Sequence, residues 1–526
     1  MVQLVCLLTL LAATPLSAAT PGAETATSAV ESIQADIRAH VAFLADDLLE
    51  GRETSFRGQK LAGLYLATQM QLSGVTPFGN AEQTSFMQPF DVEVLRHREH
   101  LLRVEVSGNG PKHELNLHED FRLRSFGEGR INHDTSMVYL GYGLNSHPHN
   151  DFSGTEIEGK WVVMHAGQPD AELGESHPYS KIESRRFSNW FKIRNALNGG
   201  AVGVILLEEP REDHVPAYLP PMHSISLPND GGARQKTFPV FRLNEAQRPK
   251  FFGPKYLAKI QAAHARILKD GTMEAVLMKR RRLAVAQVIE RETRPTENVV
   301  GVVHGGDPNL KDEYLVLSAH YDHLGFDRDT VYNGADDNGS GCATLLLLAK
   351  HFAANPGGRG LIIVFYSGEE QGLLGSEYFI NNLPVPLAQI VANINIDMVG
   401  RNATDRIGVI PSASDGVSSL NRYLNQVHRG NERGFTFDKS LDRFHRRSDQ
   451  LHFARKEIPN MFFFADVHEH YHSHMDDWQF LDYDKLARFY LLMRDFHQVL
   501  LTSPKRPEYV ELEAFEADPY GPALAP

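Results

Sequence analysis

Five side chains in the second half of this 526-residue chain are of types that bind divalent metal ions: His320, Asp336, Glu370, Asp397 and His472. Two imidazoles, two carboxylates and one carboxylate that two ions share are the ligands that a pair of zinc ions requires. Two such ions, roughly 3.5–4 Å apart, bring a bridging water close to losing a proton near neutral pH, and the hydroxide attacks a carbonyl carbon. The residues therefore predict a hydrolase with two Zn²⁺ per chain.

Two of these side chains follow apolar runs that are typical of buried strands. The run YLVLSAHYDH ends its apolar part at His320, and Asp322 comes two positions later. Residues i and i+2 of an extended backbone point to the same side, so Asp322 could orient the imidazole of His320. In NINIDMVGR, Asp397 comes directly after another buried strand. Open α/β sheets bind ligands at the carboxyl ends of their strands, which predicts a common cleft.

A pair of glutamates follows a third apolar run, in FYSGEEQGLLGS. Adjacent residues of an extended backbone point in opposite directions, so the two carboxylates can have different roles. We predict that Glu370 binds metal and that Glu369 faces the substrate as the general base. In that role Glu369 takes a proton from the attacking water and delivers it to the leaving amine.

The shared carboxylate is predicted in the glycine-rich loop YNGADDNGSG, which precedes the apolar run CATLLLLAKHF. Either Asp336 or Asp337 could instead cap the helix that this run predicts. Two adjacent acids without basic neighbours repel each other, and a divalent cation would relieve the repulsion. We predict Asp336 as the ligand that both ions share.

The second imidazole is predicted in VHEHYHSHMDDW, which contains four histidines. His472 is favoured because Tyr471 precedes it and Asp476 follows it, whereas His468, His470 and His474 remain alternatives. One ion would then be held by His320, Asp336 and Asp397, and the other by Asp336, Glu370 and His472. Each pattern alone also fits a structural role, such as a helix cap, a solvated turn or a metal-binding surface loop. The combination is what indicates a metal centre.

The elements that must position these residues form three regions. Residues from about 30 to 80 show helical spacing of apolar residues, interrupted by the loop GRETSFRG. Residues from about 85 to 290 consist of short alternating segments and predict a β-rich insert, with a helix, glycine cap and strand over 191–209 and a strand over 237–244. From about 298 the pattern alternates buried strands with helices, which predicts an α/β fold with a mostly parallel mixed sheet covered by helices.

Composition excludes several classes of partner. The net charge of −13 and the lack of long Lys/Arg runs argue against binding of nucleic acid or an anionic membrane. Residues 1–19 predict a cleaved signal peptide that is too short to anchor the chain, and hence a secreted or periplasmic protein. Cleavage removes Cys6 and leaves Cys342, which is predicted to be a core residue without a disulfide. Residues 506–526 form a tail rich in Pro and acidic residues.

The chain resembles the co-catalytic di-zinc aminopeptidases, which are related to glutamate carboxypeptidase and the transferrin receptor. The similar blocks cover roughly residues 298–500 and read SAHYDH, NGADDNGSG, SGEEQGLLGS, NIDMVG, RRSDQLHFARKEIPNMFFF and YHSHMDD. The resemblance implies the same five zinc ligands, Glu369 as the base and Asp322 as the acid that orients a ligand. A tyrosine that steadies the oxyanion in some relatives aligns with about His445, and Arg446 and Arg447 are cationic alternatives for that role. Gln450 replaces a frequent histidine that is not a ligand.

The insert resembles a protease-associated domain in IEGKWVVMHAG, FKIRNALNGGAVGVILLEE and FPVFRLN. The resemblance implies a zinc-exopeptidase fold formed by residues 30–110 and 285–505, interrupted by a β-rich protease-associated domain at 111–284. It implies an aminopeptidase acting on peptides. The rivals are a carboxypeptidase or dipeptidase on the same scaffold, a one-zinc glutaminyl cyclase, and a non-catalytic binding protein. Retention of all the predicted ligands argues against the last two.

Overall fold

The computed structural model describes residues 21–108, 110–147, 149–169, 173–174, 176–209, 223–228, 237–327, 329–412 and 418–510. The predicted signal peptide with Cys6, and residues 511–526 of the predicted tail, lie outside the described residues. Within the described part of the chain, none of the helices combines the length and the apolarity that crossing a membrane requires.

Helices and strands are numbered in chain order. The helices are α1 Pro21–Leu44, α2 Arg57–Leu72, α3 Asn189–Asn198, α4 Arg248–Asp270, α5 Gly341–Ala354, α6 Leu374–Asn381, α7 Ser419–His428, α8 Gln450–Ala454 and α9 Tyr483–Thr502. The strands are β1 Thr76–Pro77, β2 Met87–His97, β3 Arg103–Gly108, β4 Gly110–Glu114, β5 Arg122–Phe126, β6 Gly129–Tyr139, β7 Asn145–Ser146, β8 His149–Asn150, β9 Trp161–His165, β10 Gly203–Leu207, β11 His223–Ser226, β12 Phe238–Leu243, β13 Val276–Val303, β14 Tyr314–His320, β15 Gly325–Asp327, β16 Thr330–Tyr332, β17 Gly360–Tyr366, β18 Ile390–Ile396, β19 Arg406–Ile410, β20 Thr436–Asp438 and β21 Asn460–Phe464.

Four parallel strands form the centre of the sheet that carries the predicted site. β14 pairs with β17 on one side and with β18 on the other, and β18 pairs with β21. β13 and β19 add antiparallel neighbours beyond β17 and β21. The chain goes from β14 to β17 and then crosses to β18 on the other side, so strand order reverses at β14. This reversal opens a crevice at the carboxyl ends of the strands.

Both faces of this sheet are covered, which explains why every residue of its four parallel strands is buried. In β14, Leu315 and Leu317 pack in the cluster formed with α1, α2, α5 and α9, whereas Tyr314 and Val316 pack in the cluster with α6 and α8. Successive side chains of a strand point to opposite faces, so both sets are buried. The α/β fold with a covered, mostly parallel sheet is confirmed. Cys342 is buried without a disulfide.

A second sheet region lies in the predicted insert. β6, β9, β10 and β12 are parallel neighbours, with α4 packed on one face and α3 on the other. The helix, glycine cap and strand predicted over 191–209 correspond to α3, Gly199 and β10, and the strand predicted over 237–244 corresponds to β12. The division into a peptidase domain and a protease-associated domain stays a prediction.

β13 joins the two regions. It pairs with β6 and β3 over its first half, with β2 from Ile289 to Val299, and with β17 over its last residues. Its 28 residues therefore link the insert to the central sheet through strand pairing, with a bulge between Met278 and Arg282.

Folding stability is expected to fall in acid because α9 carries a buried histidine. His497 is fully buried, its Nδ1 donates to the carbonyl of Met493 at 2.7 Å, and burial lowers its pKa to about 4. In the unfolded chain His497 binds a proton near pH 6.5, whereas in the folded protein it binds one only near pH 4. The stabilisation present above pH 6.5 is therefore lost as pH falls toward 4. We expect His497 to lower the free energy of unfolding by about 2 kcal/mol between pH 7 and pH 4.5.

The measurement is the free energy of unfolding in urea at both pH values. His497→Gln removes the titrating ring, and the difference between the two pH values should shrink by that amount. His100→Gln, at an exposed histidine, serves as the control and should keep the full difference. Equal acid sensitivity of the His497 variant and the unmodified protein would contradict the assignment.

Candidate metal centre

The loops at the carboxyl ends of the four parallel strands bring the predicted residues together. His320 is the last residue of β14, Asp397 directly follows β18, and Glu370 lies four residues beyond β17. His472 lies in the loop that follows β21. Parallel strands end at one edge of a sheet, so side chains that are far apart in sequence meet there.

One group of ligand atoms, which we name site A, consists of His320, Asp337 and Asp397. The Nε2 atom of His320 lies 3.2 Å from Oδ1 of Asp337 and 3.3 Å from Oδ1 of Asp397. Its Nδ1 donates to the carbonyl of Asp322 at 3.1 Å, which turns Nε2 toward the acids. Ser448 Oγ donates to the other oxygen of Asp397 at 2.9 Å.

A second group, which we name site B, is formed around the other oxygen of Asp337. The Nε2 atom of His472 lies 3.2 Å from Oδ2 of Asp337 and 3.2 Å from Oε2 of Glu370. Asp337 therefore presents one oxygen to each site. This is the arrangement predicted for a carboxylate that two ions share.

The prediction that Asp336 is the shared carboxylate is wrong, because the structure gives that position to Asp337. Asp336 turns away from both imidazoles of the two sites, and its Oδ1 accepts a hydrogen bond from the backbone N–H of Gly400 at 2.7 Å. Its Oδ2 lies 3.5 Å from Nε2 of His468. The two aspartates are adjacent in a tight turn, and their order in the sequence does not show which one faces the cleft.

Asp476 holds this turn in place. Its Oδ1 accepts from the backbone N–H of Asp336 at 3.0 Å, and its Oδ2 accepts from that of Asp337 at 3.0 Å. Burial raises the pKa of Asp476 to about 8, with the neighbouring carboxylates adding to the shift. The acid that helped to select His472 in the sequence thus supports the shared ligand.

Glu369 and Asp322 are linked through the backbone. Oδ1 of Asp322 accepts from the backbone N–H of Glu369 at 3.1 Å, and Oδ2 accepts from the hydroxyl of Thr54 at 2.8 Å. Burial raises the pKa of Glu369 well above its usual range, opposed by His320 and reinforced by the neighbouring acid Glu370. Asp322 therefore fixes the segment that carries Glu369 and, through its own carbonyl, the ring of His320.

The suggested oxyanion role of His445 is not supported by its position. Its Nε2 lies 3.4 Å from Oδ1 of Asn460, and its backbone carbonyl accepts from the side chain of Gln450 at 2.9 Å. The neighbouring residues Arg446 and Arg447, but not His445, line the cavity beside the two sites. His445 directly follows a short helical turn, Lys439–Phe444, whose successive side chains face different directions.

The cavity has a volume of about 490 Å³. Carboxylates and His472 form part of its lining, and apolar side chains form another part. The residues of the apolar part include Leu373, Met398, Phe444, Phe462, Phe464, Val467 and Tyr471. The cavity can therefore hold an apolar side chain next to a strongly polar centre.

The residues present fit a pair of zinc ions. Ligand atoms about 2.0–2.2 Å from a tetrahedral zinc ion lie about 3.3–3.6 Å from one another, close to the N···O distances in both sites. Within the described part of the chain, no Lys or Arg forms an ion pair with Asp337, Glu369, Glu370 or Asp397. Four acids packed together with two imidazoles leave negative charge that divalent cations would neutralise.

One residue that the sequence reasoning missed is His323. It is fully buried in the loop after β14, and its Nδ1 lies 2.9 Å from Oε1 of Glu370. The available signal was a second histidine three residues after His320, within the same SAHYDH block.

A known protein family matches the part of the chain that carries these residues. Residues 298–497 match Peptidase family M28. Aminopeptidase YwaD of Bacillus subtilis (strain 168) is 30% identical over 126 residues, which cover 24% of this chain and 26% of that protein. Leupeptin-inactivating enzyme 1 of Streptomyces exfoliatus is 37% identical over 106 residues, which cover 20% of this chain and 22% of that protein. The chain thus matches only about a quarter of the length of these curated relatives.

Solved structures resemble the chain over most of its length. An aminopeptidase from Aneurinibacillus sp. strain AM-1 superposes with a TM-score of 0.58 and 16% identity, covering 91% of this chain and 95% of that one. BSAP, a zinc aminopeptidase from Bacillus subtilis, superposes with a TM-score of 0.57 and 17% identity, covering 91% and 97%. At these identities the likeness shows a common fold.

Proposed function

We propose that this chain, whose residues 298–497 match Peptidase family M28, is a zinc-dependent aminopeptidase that releases N-terminal residues from peptides. The observation that carries the proposal is the position of Asp337, which offers one oxygen to His320 and the other to His472, each at 3.2 Å. A carboxylate that two metal sites share is the defining element of a two-ion hydrolytic centre. His320, Asp337, Asp397, Glu370 and His472 are the proposed ligands.

Bound zinc ions would lower the pKa of the attacking water and would polarise the carbonyl of the scissile bond. Glu369 supplies the proton transfer. Its carboxylate takes the proton of the attacking water and delivers it to the leaving amine, which requires the raised proton affinity that burial gives it. Asp322 keeps Glu369 in place through the hydrogen bond to its backbone N–H.

The acidic residues of the centre also favour binding of the amino end of a peptide over its carboxyl end. A free α-amino group is cationic near neutral pH, and the cluster of Asp397, Glu369 and Glu370 attracts it. The apolar part of the cavity, around Met398 and Phe462, would hold the adjacent side chain. Several of the similar relatives are named aminopeptidases, which supports the same substrate class.

A panel of substrates tests the proposal. Leucyl-anilide and a free-amine leucyl peptide should be hydrolysed, whereas the N-acetylated forms of both should not be. Chelation should abolish hydrolysis, zinc should restore it, and elemental analysis should find two zinc ions per chain. Hydrolysis of N-acetylated peptides from the carboxyl end would reject the aminopeptidase assignment.

A carboxypeptidase or dipeptidase is the second candidate, because Arg446 and Arg447 line the cavity and could bind a substrate carboxylate. If the chain is an aminopeptidase, Arg446→Ala combined with Arg447→Ala should change kcat/KM for leucyl-anilide, which lacks a carboxylate, by less than about threefold. A carboxypeptidase would instead lose about 10²-fold or more on N-blocked peptides. The assay compares kcat/KM for both substrates.

Arg443→Ala is the matched control for that experiment. Arg443 is an exposed arginine in the same segment, lies 3.5 Å from Asp466 and does not line the cavity. It should leave both kcat/KM values unchanged. A large loss on N-blocked peptides confined to the Arg446 and Arg447 variant would establish the carboxypeptidase.

We infer in addition that the protein is exported, on the basis of the signal peptide predicted at residues 1–19. Mass spectrometry of the protein recovered from the medium or the periplasm should show a mature chain that begins near residue 20. Recovery of full-length chain from the cytoplasm alone would contradict export.

A further inference from the structure

His323 lies beside site B in a position that its neighbours fix closely. Its backbone N–H donates to the carbonyl of Arg52 at 3.2 Å. A Cβ atom on Gly334 would lie 2.4 Å from Cγ of His323, so the ring packs directly against a glycine backbone. No larger residue fits at position 334 without moving the ring. The imidazole is therefore held in one orientation before any ion binds.

In that orientation Nδ1 of His323 faces the same space as the atoms of site B. It lies 2.9 Å from Oε1 of Glu370 and 3.9 Å from Oδ2 of Asp337. The ring centroids of His323 and His472 are 5.9 Å apart, with a steep angle between the rings. Two imidazoles that bind one zinc ion with Zn–N bonds of about 2.0–2.1 Å have ring centres about 5–6 Å apart.

We infer that His323 is a fourth protein ligand of the ion in site B, in addition to Asp337, Glu370 and His472. The inference rests on the proposed metal centre and goes beyond its five proposed ligands. Site B would then be closed by two nitrogen and two oxygen donors. Site A, with His320, Asp337 and Asp397, would keep an open position for substrate. Closed zinc sites are structural in character, whereas sites that act on substrate keep a free position.

The difference in the number of protein ligands, four in site B and three in site A, implies different roles for the two ions. The ion in site B, with the fuller set of ligands, is expected to bind more tightly and to serve mainly to fix Asp337 and Glu370. The ion in site A is expected to exchange more readily and to contact the substrate. A bare hydrogen bond from His323 to Glu370 would not produce this difference in ligand number.

X-ray absorption of the protein loaded with two zinc ions counts the imidazoles directly. Three histidine ligands shared by two ions give an average of 1.5 imidazoles per zinc, whereas His320 and His472 alone give 1.0. His323→Asn separates the two roles, because the side-chain amide N can still donate to Glu370 but does not replace an imidazole ligand. We expect the average to fall to 1.0 and the Kd of the tighter zinc ion to rise by about 100-fold.

His468→Gln is the matched control. His468 lies in the same loop as His472, its side chain is buried, and its Nε2 lies 3.5 Å from Oδ2 of Asp336 rather than beside either site. This variant should keep both the average of 1.5 and the zinc affinity. An average of 1.0 in the unmodified protein would overturn the inference, and that result can be read even if the Asn variant does not fold.

The outcomes for the ligand and for the proposed function are separate. His323 would be rejected as a ligand, and the proposed function kept, if the protein bound two zinc ions and acted as an aminopeptidase but had an average of 1.0 imidazole per zinc. An average of 1.5 without hydrolysis of any free-amine peptide would keep the ligand and reject the function.

Discussion

Replacing Glu369 by Gln should lower kcat by about 10²–10⁴-fold while the protein retains two zinc ions. The amide has nearly the same shape as the carboxylate but does not take up a proton. Glu369 belongs to neither ligand group, and the hydrogen bond from its backbone N–H to Asp322 does not depend on its side chain. The measurements are kcat for leucyl-anilide and the zinc content of the same sample.

Glu377→Gln is the control for this experiment. Glu377 lies in the first turn of α6, close in sequence to Glu369 but outside the residues that line the cavity. It should retain activity and zinc. A Glu369 variant that turns over at the normal rate would reject the base, and one that loses zinc would make Glu369 a ligand instead.

Asp337→Asn and Asp336→Asn should separate the two adjacent aspartates. The Asp337 variant loses the charge that both ions share, so at least one zinc should be lost and kcat/KM should fall by about 10³-fold or more. The Asp336 variant keeps an oxygen that accepts from Gly400, so zinc content and kcat/KM should remain close to normal. Metal analysis and steady-state kinetics on both variants give the comparison.

Each variant is the matched control for the other, because both replace an aspartate by asparagine at adjacent positions. Thermal unfolding should show that both variants are folded before their zinc contents are compared. Loss of zinc in the Asp336 variant with retention in the Asp337 variant would restore the assignment made from the sequence and would reject the geometry of the turn.

The strands that carry the site could be predicted because burial on two faces leaves a simple pattern. β14, β17 and β18 are apolar runs that end in polar residues, and His320, Glu370 and Asp397 were located from those ends. Glu369 and Glu370 lie in the turn that follows β17, beyond the strand whose period suggested separate directions for them. The spacing of buried residues thus locates the ends of the strands, but not the directions of side chains in the turns that follow.

The residues whose positions were not predicted correctly lie in turns and loops, where side chains do not follow the regular spacing of a strand or helix. Asp336 and Asp337 sit in a tight turn, His445 in a short helical turn, and His323 in an irregular loop. The direction of each side chain there depends on contacts with distant residues, such as Asp476. The 23-residue helix α4 was also missed inside the insert, because the surrounding strands, turns and glycines suggested a β-rich region throughout.

The buried guanidinium of Arg52 contacts the loops on which both metal sites depend. It donates to the carbonyl of Tyr321 at 2.8 Å and to that of Gly334 at 2.9 Å, across separations of 269 and 282 residues. An expression fragment trimmed to residues 298–497 would therefore lack the group that satisfies these carbonyls. During synthesis, Arg52 can form these hydrogen bonds only after more than half of the chain, through Gly334, has left the ribosome. High contact order of this kind places the completed centre late in folding.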